Sequence, residues 1–421
     1  MSSEWRKQKL SNLGTFDRGK SKHRPRDAAH LYGGPYPFIQ TGDVTAAEGR
    51  ITSYRQTYSE AGLAQSKLWP TSTLCITIAA NIAETALLTF PACFPDSVVG
   101  FTVDKTKADI RYIEYVFRAF RESVKRRAYG SVQENINLEV LRDLEFPIPS
   151  LQTQECIADF LTLFDDRIAL LRETNATLEA IAQALFKSWF VDFDPVHARA
   201  RGEQPDGISE ELAALFPDSF EESPLGLVPK GWRVTSLKEA VSIFDSKRIP
   251  LSGAERTARK GWFPYYGAAA LMDYVDDYLF DGVYLLLGED GSVTNTDGYP
   301  VTQYVWGKIW VNNHAHVLQG ANGISTEHLM LAIKRINIQP FVTGAVQAKL
   351  SQGNMWRIPF LMPTQEIAEA FGEFIAPLFV RYRHNAEQAQ TLAALRDTLL
   401  PRLISGQLRL PEIETTPETG I

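Results

Sequence analysis

The words IPSLQTQE, from Ile148, and IPFLMPTQE, from Ile358, say almost the same thing twice in a chain of 421 residues. They are not alone. WRKQKL at Trp5 returns as WRVTSL at Trp232, YPFI around Pro37 as FPYY around Pro264, and GSVQ at Gly130 as GAVQ at Gly344. The matches keep their order, and their separation only shrinks along the chain, as it does when a second copy has shorter loops. A period of some 200 residues is far beyond a solenoid's roughly 20–50. The chain is therefore a duplicated domain, in line with a length that calls for more than one core.

Within each copy the texture changes at the TQE word. Before it come short β-forming runs, CITI, VVGFTV, VYLLL and KIWVNN, punctuated by Gly, Pro and Asn. After it, apolar residues advance by alternating fours and threes: Ile157, Leu161, Phe164, Ile168, Leu171, Asn175, Leu178, Leu185. That is a heptad seam, capped by Thr153 and lasting to about Phe190, roughly 55 Å at ~1.5 Å per residue. The second copy repeats it with Ile367, Phe371, Phe374, Leu378, Asn385, Leu392, Leu395 and Leu399, interrupted at Arg381 and Gln388. Asn385 holds the seam position of Asn175. A lone Asn in such a seam fixes register; the alternative is a tolerated polar residue at a solvent-facing point. Pro195 is expected to end the first helix, and Pro401 with Gly406 the second.

The fold class expected is α+β: two β-rich domains and two long antiparallel coiled-coil helices in a pseudo-twofold tandem repeat. The divisions are 1–150 (first β-rich domain), 151–190 (first spacer helix), 191–227 (connector), 228–362 (second domain), 363–406 (second spacer helix) and 407–421 (disordered tail).

A net charge of −7 argues against a polyanionic partner, but its distribution does not. Residues 1–150 carry 20 Lys+Arg against 16 Asp+Glu, and 228–362 carry 13 against 11. The blocks after them are acidic, 5 against 15 over 151–227 and 5 against 8 over 363–421. Basic domains alternate with acidic helical segments, so nucleic acid suits the former and protein the latter. Cys75, Cys93 and Cys156 lie among apolar neighbours without CxxC spacing and read as buried thiols of a reducing compartment. The opening MSSEWRKQKLSN has no apolar h-region and no run is long enough to span a bilayer, so a cytoplasmic location is expected.

The IP…TQE words leading into heptads, GSVQ/GAVQ, the paired W-R-x-x-x-L openings, ALFKSWFVDFDP and LLPRLISGQL together resemble the specificity subunit of a type I restriction–modification enzyme. The resemblance covers nearly the whole chain. It implies that each β-rich domain reads one half of a bipartite site in double-stranded DNA. It further implies that the paired helices set the spacing and dock two methyltransferase subunits, joined for restriction by translocase subunits. S-adenosylmethionine, ATP and Mg²⁺ would then belong to those partners, with no cofactor and no catalytic residue in this chain. A neighbouring alternative is the specificity subunit of a fused nuclease–methylase system that cuts on both sides of its site.

The candidate DNA-binding residues come in clusters. Arg18, Lys20, Lys22, Arg24 and Arg26 alternate along DRGKSKHRPRD, so an extended chain offers them to phosphates on one side, unless the loop is simply solvated. Lys125, Arg126 and Arg127 precede Ser131, Gln133 and Asn135, whose amides suit adenine as Arg and Lys suit guanine; the rival is a turn into a packed strand. Thr41, Asp43 and Asn81 sit at the ends of apolar runs, where recognition loops or ordinary turns occur. In the second copy the candidates are Lys247, Arg248, Arg256, Arg259, Lys260, Gln347 and Lys349. Arg256 to Lys260 precede GWFPYYG, whose rings are expected mostly in the core.

Two patterns point elsewhere. GTFDRGKS, Gly14 to Ser21, satisfies GxxxxGK[ST], which raises a P-loop ATPase with a coiled-coil arm. A P-loop needs a buried strand before it and a helix after it; RKQKLSNL is no buried strand and Pro25 forbids the helix. His314 and His316 in NNHAH would share a strand face, but two histidines without a third ligand do not make a metal site.

Overall fold

The computed structural model describes residues 5–79, 81–129, 138–344 and 347–410. The chain divides into two compact units, 1–169 with 389–421, and 170–388. Both divisions fall in the middle of a 40-residue helix, Leu151–Phe190 and Gln365–Ile404. No helix among the described residues is long and apolar enough to cross a membrane.

The core of the first unit is a five-stranded sheet. Its order is Gly14–Arg18, Val98–Val103, Leu74–Thr77, Thr85–Leu88, Arg50–Ile51, antiparallel except for the last pair. Leu74–Thr77 is buried on both faces, and the period of two decides what each residue meets. Leu74 and Ile76 join Tyr112, Ile113, Val116 and Phe117 of the helix Ile110–Tyr129, whereas Cys75 joins Ile39, Trp69 and Phe94.

In the second unit the sheet runs Val241–Ile243, Ala315–Gly320, Phe280–Gly288, Thr302–Val311, Lys260–Tyr266, Leu271–Val275. Its first four strands repeat the order of the first unit's, and the fifth is again parallel to the fourth. Alternation works the same way. Leu285 and Leu287 pack with Leu329 and Met330 of the helix Thr326–Ile333; Leu286 packs with Val305 and Val317.

The opening word of each copy explains itself in the sheet pairing. Arg6–Lys9 lies antiparallel to Glu145–Ile148, and Arg233–Ser236 to Pro359–Met362. Each domain is closed by pairing its first strand with the strand that leads into its long helix. Trp5 and Trp232, just before those strands, are buried.

The first long helix starts at Leu151, not Thr153. Ser150 Oγ accepts the Thr153 N–H at 3.3 Å, so the serine takes the capping role that the threonine was expected to fill. Gln154 of the TQE word is wholly buried. Its amide accepts the Asp109 N–H at 3.1 Å and donates to the carbonyls of Lys107 and Pro149, tying the helix start to the entry of Ile110–Tyr129. The matching Gln365 is exposed, so the word is structural in one copy only. Cys156 is exposed, contrary to the buried thiol expected; Cys75 and Cys93 are buried.

Along the first helix the expected seam is the inward face: Ile157, Leu161, Ile168 and Leu171 are buried, and Phe164, Asn175, Leu178 and Leu185 partly so. The second helix departs from its expected frame. Phe374 is 41% exposed and Leu395 49%, while Ile375 is buried and Arg396 half-buried. Ile367, Phe371, Ile375, Leu378, Tyr382, Asn385, Ala389, Leu392, Arg396 and Leu400 form the inward stripe. Two steps of four in succession shift the frame by one, the usual correction when a 3.6-residue helix drifts from a 3.5-residue repeat. The polar interruptions Arg381 and Gln388 were artefacts of the wrong frame: Tyr382 and Ala389 face inward instead.

The seam's polar residues are paired. In the second unit Asn385 Nδ2 donates to Asn175 Oδ1 at 3.0 Å, and Asn175 Nδ2 donates to the Tyr382 carbonyl at 3.0 Å. In the first unit Arg396 Nη1 lies 2.6 Å from Asp165 Oδ1. Higher numbers on one helix meet lower numbers on the other, which makes the pair antiparallel. Burial pushes the Asp165 carboxyl up, but Arg118, Tyr115 and Arg396 together hold it below the ordinary carboxylate range. Neighbouring Glu114, fully buried beside Arg118 at 2.6 Å, is raised by burial.

The helix ends also differ from expectation. Phe193 adopts φ +55°, and Pro195 stands in the first turn of a new helix, Asp194–Ala200, where a missing N–H costs nothing. Pro401 lies inside the last turn of the second helix, which Gly406 closes at φ +73°.

Candidate nucleic-acid interface

In the first unit the alternation of DRGKSKH is real. Arg18, Lys20, Lys22, Arg24 and Arg26 are exposed, while Gly19 and Ser21 between them are buried. The backbone holds this register: Gly19 N–H donates to Val98 O at 2.9 Å and Lys20 N–H to Phe94 O at 3.0 Å. A Cβ on Gly19 would lie 2.3 Å from the carbonyl oxygens of Phe94 and Pro95, so only glycine lets the strand end sit this close. Two of the five cations are committed. Arg24 donates to the Ser21 and His23 carbonyls, and Arg26 Nη2 lies 2.8 and 3.0 Å from the two carboxylate oxygens of Asp96. Arg18, Lys20 and Lys22 enter no ion pair among the described residues. The P-loop reading fails here, because Gly14–Arg18 is a sheet strand and no α-helix follows Ser21 before Thr41.

Asn81 is joined to the short helix that carries Thr41 and Asp43. Thr41 opens a short helix, Thr41–Ala46, and Asn81 Nδ2 donates to Thr45 Oγ1 on it at 3.1 Å. Asp43 is spent on capping: Oδ2 accepts the Gln40 N–H at 2.9 Å, and Oδ1 lies 3.5 Å from Arg55. It positions the helix rather than offering a free acceptor. Lys125 lies 3.3 Å from Glu84, which also takes Arg121 at 3.1 Å, while Arg126 is exposed. The side chain of Arg127, and Ser131, Gln133 and Asn135, lie outside the described residues.

The second unit separates its seven candidates sharply. Lys247 is exposed, its Nζ 5.4 Å from the centre of the Phe244 ring. Arg248 is not a surface cation at all. Its guanidinium reaches Glu289 at 2.7 Å, Asp245 at 3.3 Å and the Ala315 carbonyl at 2.6 Å, a buried structural role. Arg256 donates to Leu251 O at 2.7 Å and lies over the Tyr265 ring. Arg259 pairs with Asp276 at 2.8 Å above Trp310, and Lys260 pairs with Asp273 at 2.5 Å. Carboxylates thus balance this cluster, which leaves it little net attraction for phosphate. Of GWFPYYG, Tyr265 is buried as expected, but Trp262 is 91% exposed where the pairing with Leu271–Val275 bulges.

Gln347 and Lys349 are exposed on the loop Thr343–Lys349. Its ends are joined by paired backbone bonds, Thr343 N–H to Lys349 O at 2.8 Å and the reverse at 2.7 Å. Gly344 makes the turn at φ +93°. Beneath the loop lies a cluster that sequence reading missed. His316 is 1% exposed, with Nδ1 at 2.6 Å from Asp245 and Nε2 at 2.8 Å from the Leu350 carbonyl. The two histidines do not act together: His314 is half-exposed and pairs with Asp290. Asp245, Glu289 and His316 converge closely enough to hold a metal ion. The Arg248 guanidinium already supplies the positive charge between the two carboxylates, so the donor set does not fit a metal. The available signal was acid just after each of two apolar runs, IFD and LLLGED.

A family model described as type I restriction modification DNA specificity domain matches residues 2–180 and again 229–386. The specificity subunit of the type I restriction enzyme MjaIX from Methanocaldococcus jannaschii is 23% identical over 436 residues, covering 97% of this chain and 95% of that protein. The HindI specificity subunit from Haemophilus influenzae is 26% identical over 378 residues, 73% of this chain and 80% of that one. A crystal structure of a type I restriction–modification S subunit from M. genitalium shares the fold, with a TM-score of 0.58 at 17% identity over 96% of this chain and 97% of that one. Matched twice and over most of its length, the chain belongs to the type I restriction–modification DNA specificity family.

Proposed function

We propose that the chain is the non-catalytic DNA-specificity subunit of a type I restriction–modification system. Each β-rich domain reads one half of a bipartite target, and the helix pair sets the gap between halves. The observation that carries this is the duplication itself: two sheets whose first five strands follow the same order, each domain leading into a 40-residue helix. In the first domain the free cations Arg18, Lys20 and Lys22 suit the phosphate backbone, which contributes affinity without sequence information. In the second, Lys247, Lys260, Gln347 and Lys349 are exposed and suit the same role. The strongly acidic segment 151–227 would repel DNA, and in this reading it faces protein: two methyltransferase subunits, with translocase subunits added for restriction. S-adenosylmethionine, ATP and Mg²⁺ belong to those partners.

Expression of the chain with its methyltransferase in an unmethylated host, followed by mapping of the modified bases, tests the proposal. A bipartite motif with a fixed gap is expected. A short continuous site, or no modification, refutes it.

A further inference from the structure

In the buried charge cluster of the second domain, His316 and Glu289 both reach the residues just after the GAVQ word, Lys349 and Leu350. His316 Nε2 faces the Leu350 carbonyl, which only accepts, so this nitrogen carries hydrogen. Nδ1 faces a carboxylate oxygen of Asp245. Asp245 is itself fixed, its second oxygen accepting the Val317 N–H at 3.0 Å. Glu289, 3.7 Å from His316, is held by Arg248, and Lys349 of the loop stands 3.8 Å from it. Backbone bonds continue the connection: Leu350 N–H to Glu289 O at 2.8 Å and Gly291 N–H to Ala348 O at 2.9 Å. The nearby His314–Asp290 pair is half-exposed and forms a separate contact.

We propose that His316 is a positioning residue for DNA reading by the second domain, locking the loop that presents Gln347 and Lys349 to the sheet. The inference rests on the function proposed above. The device is private to this domain: by strand register His316 opposes Leu287, while in the first domain Val99 opposes Ile76 at the corresponding place. The first half-site is thus an internal control. Discrimination by the second domain then depends on this contact, while that of the first does not.

The test maps modified bases for the full chain with its methyltransferase, comparing wild type, His316→Phe and the near-isosteric Asp245→Asn. One half-site should stay as in wild type, and the other should lose about tenfold in discrimination at one position or more, the scale of a single base contact. In vitro, duplexes altered in that half should be modified faster by His316→Phe than by wild type, whereas duplexes altered in the other half should be modified equally by both. Complete loss with His316→Phe but one-sided relaxation with Asp245→Asn supports the inference. Two intact half-sites in both variants overturn it, as does uniform loss in both. A wild-type chain giving no bipartite motif is a different result, and it refutes the proposed function itself.

Discussion

His328 stands among the rings of Phe186, Phe190 and Phe371, fully buried, with its Nδ1 unbonded among the described residues. Burial pushes its imidazole down to about 3. In the fold it therefore stays neutral at every pH above that, whereas the unfolded chain takes a proton below about 6.5. Between those values the unfolded state binds more protons, so stability is present above pH ~6.5 and is lost as pH falls towards 3. At pH 5 the deficit is about 2 kcal/mol relative to pH 7, since each pH unit is worth ~1.4 kcal/mol. His328→Leu should remove that difference, as followed by urea unfolding at both pH values. An unchanged acid dependence would place the titrating group elsewhere. Little of this was legible in the sequence. A histidine in STEHLML, or an arginine in DSKR, has a type but no partner until the sheet brings Glu289 to Arg248 across 41 residues. For the same reason the alternation in DRGKSKHRPRD marks five exposed cations, but not that Arg24 and Arg26 are taken up by backbone carbonyls and Asp96.

At the scale of elements, periodicity was the strongest guide, and it failed only where it was counted too rigidly. The first long helix follows its predicted seam, but the second slips by one position between Phe371 and Ile375, a turn before Pro377. The helix Ile110–Tyr129 was passed over, although Tyr112, Ile113, Val116 and Phe117 mark an apolar face of helical spacing. The slip makes a pairwise prediction. Leu400 is 6% exposed in the first unit's core, and Leu400→Ala should cost about 2–4 kcal/mol. Leu395→Ala, on the outward face, should cost about 0.5 kcal/mol or less. Chemical denaturation of the two variants distinguishes the frames. A larger loss at Leu395 would restore the strict heptad read from the sequence.

For the whole molecule, duplication was legible because short words survived in order, and it fixed the architecture before any strand was placed. What the words could not give was which surface each domain offers, since loops that differ between copies share no pattern. The continuous helices that run from one unit into the other carry the last prediction. Seven residues inserted after Ala169, and seven after Gln388, keep the seam nearly in phase, because a heptad turns the stripe by only ~20°. They lengthen each helix by about 10 Å at ~1.5 Å per residue, close to the rise of about three base pairs at ~3.4 Å each. Three base pairs also rotate the duplex by roughly 100°, given ~10–10.5 pairs per turn, and the helices do not supply that rotation. Axial fit thus favours a longer gap while twist resists the full increase. The modified motif should keep both half-sites and widen by about one to three base pairs, with slower modification. Mapped sites with an unchanged gap would show that something other than helix length sets the spacing.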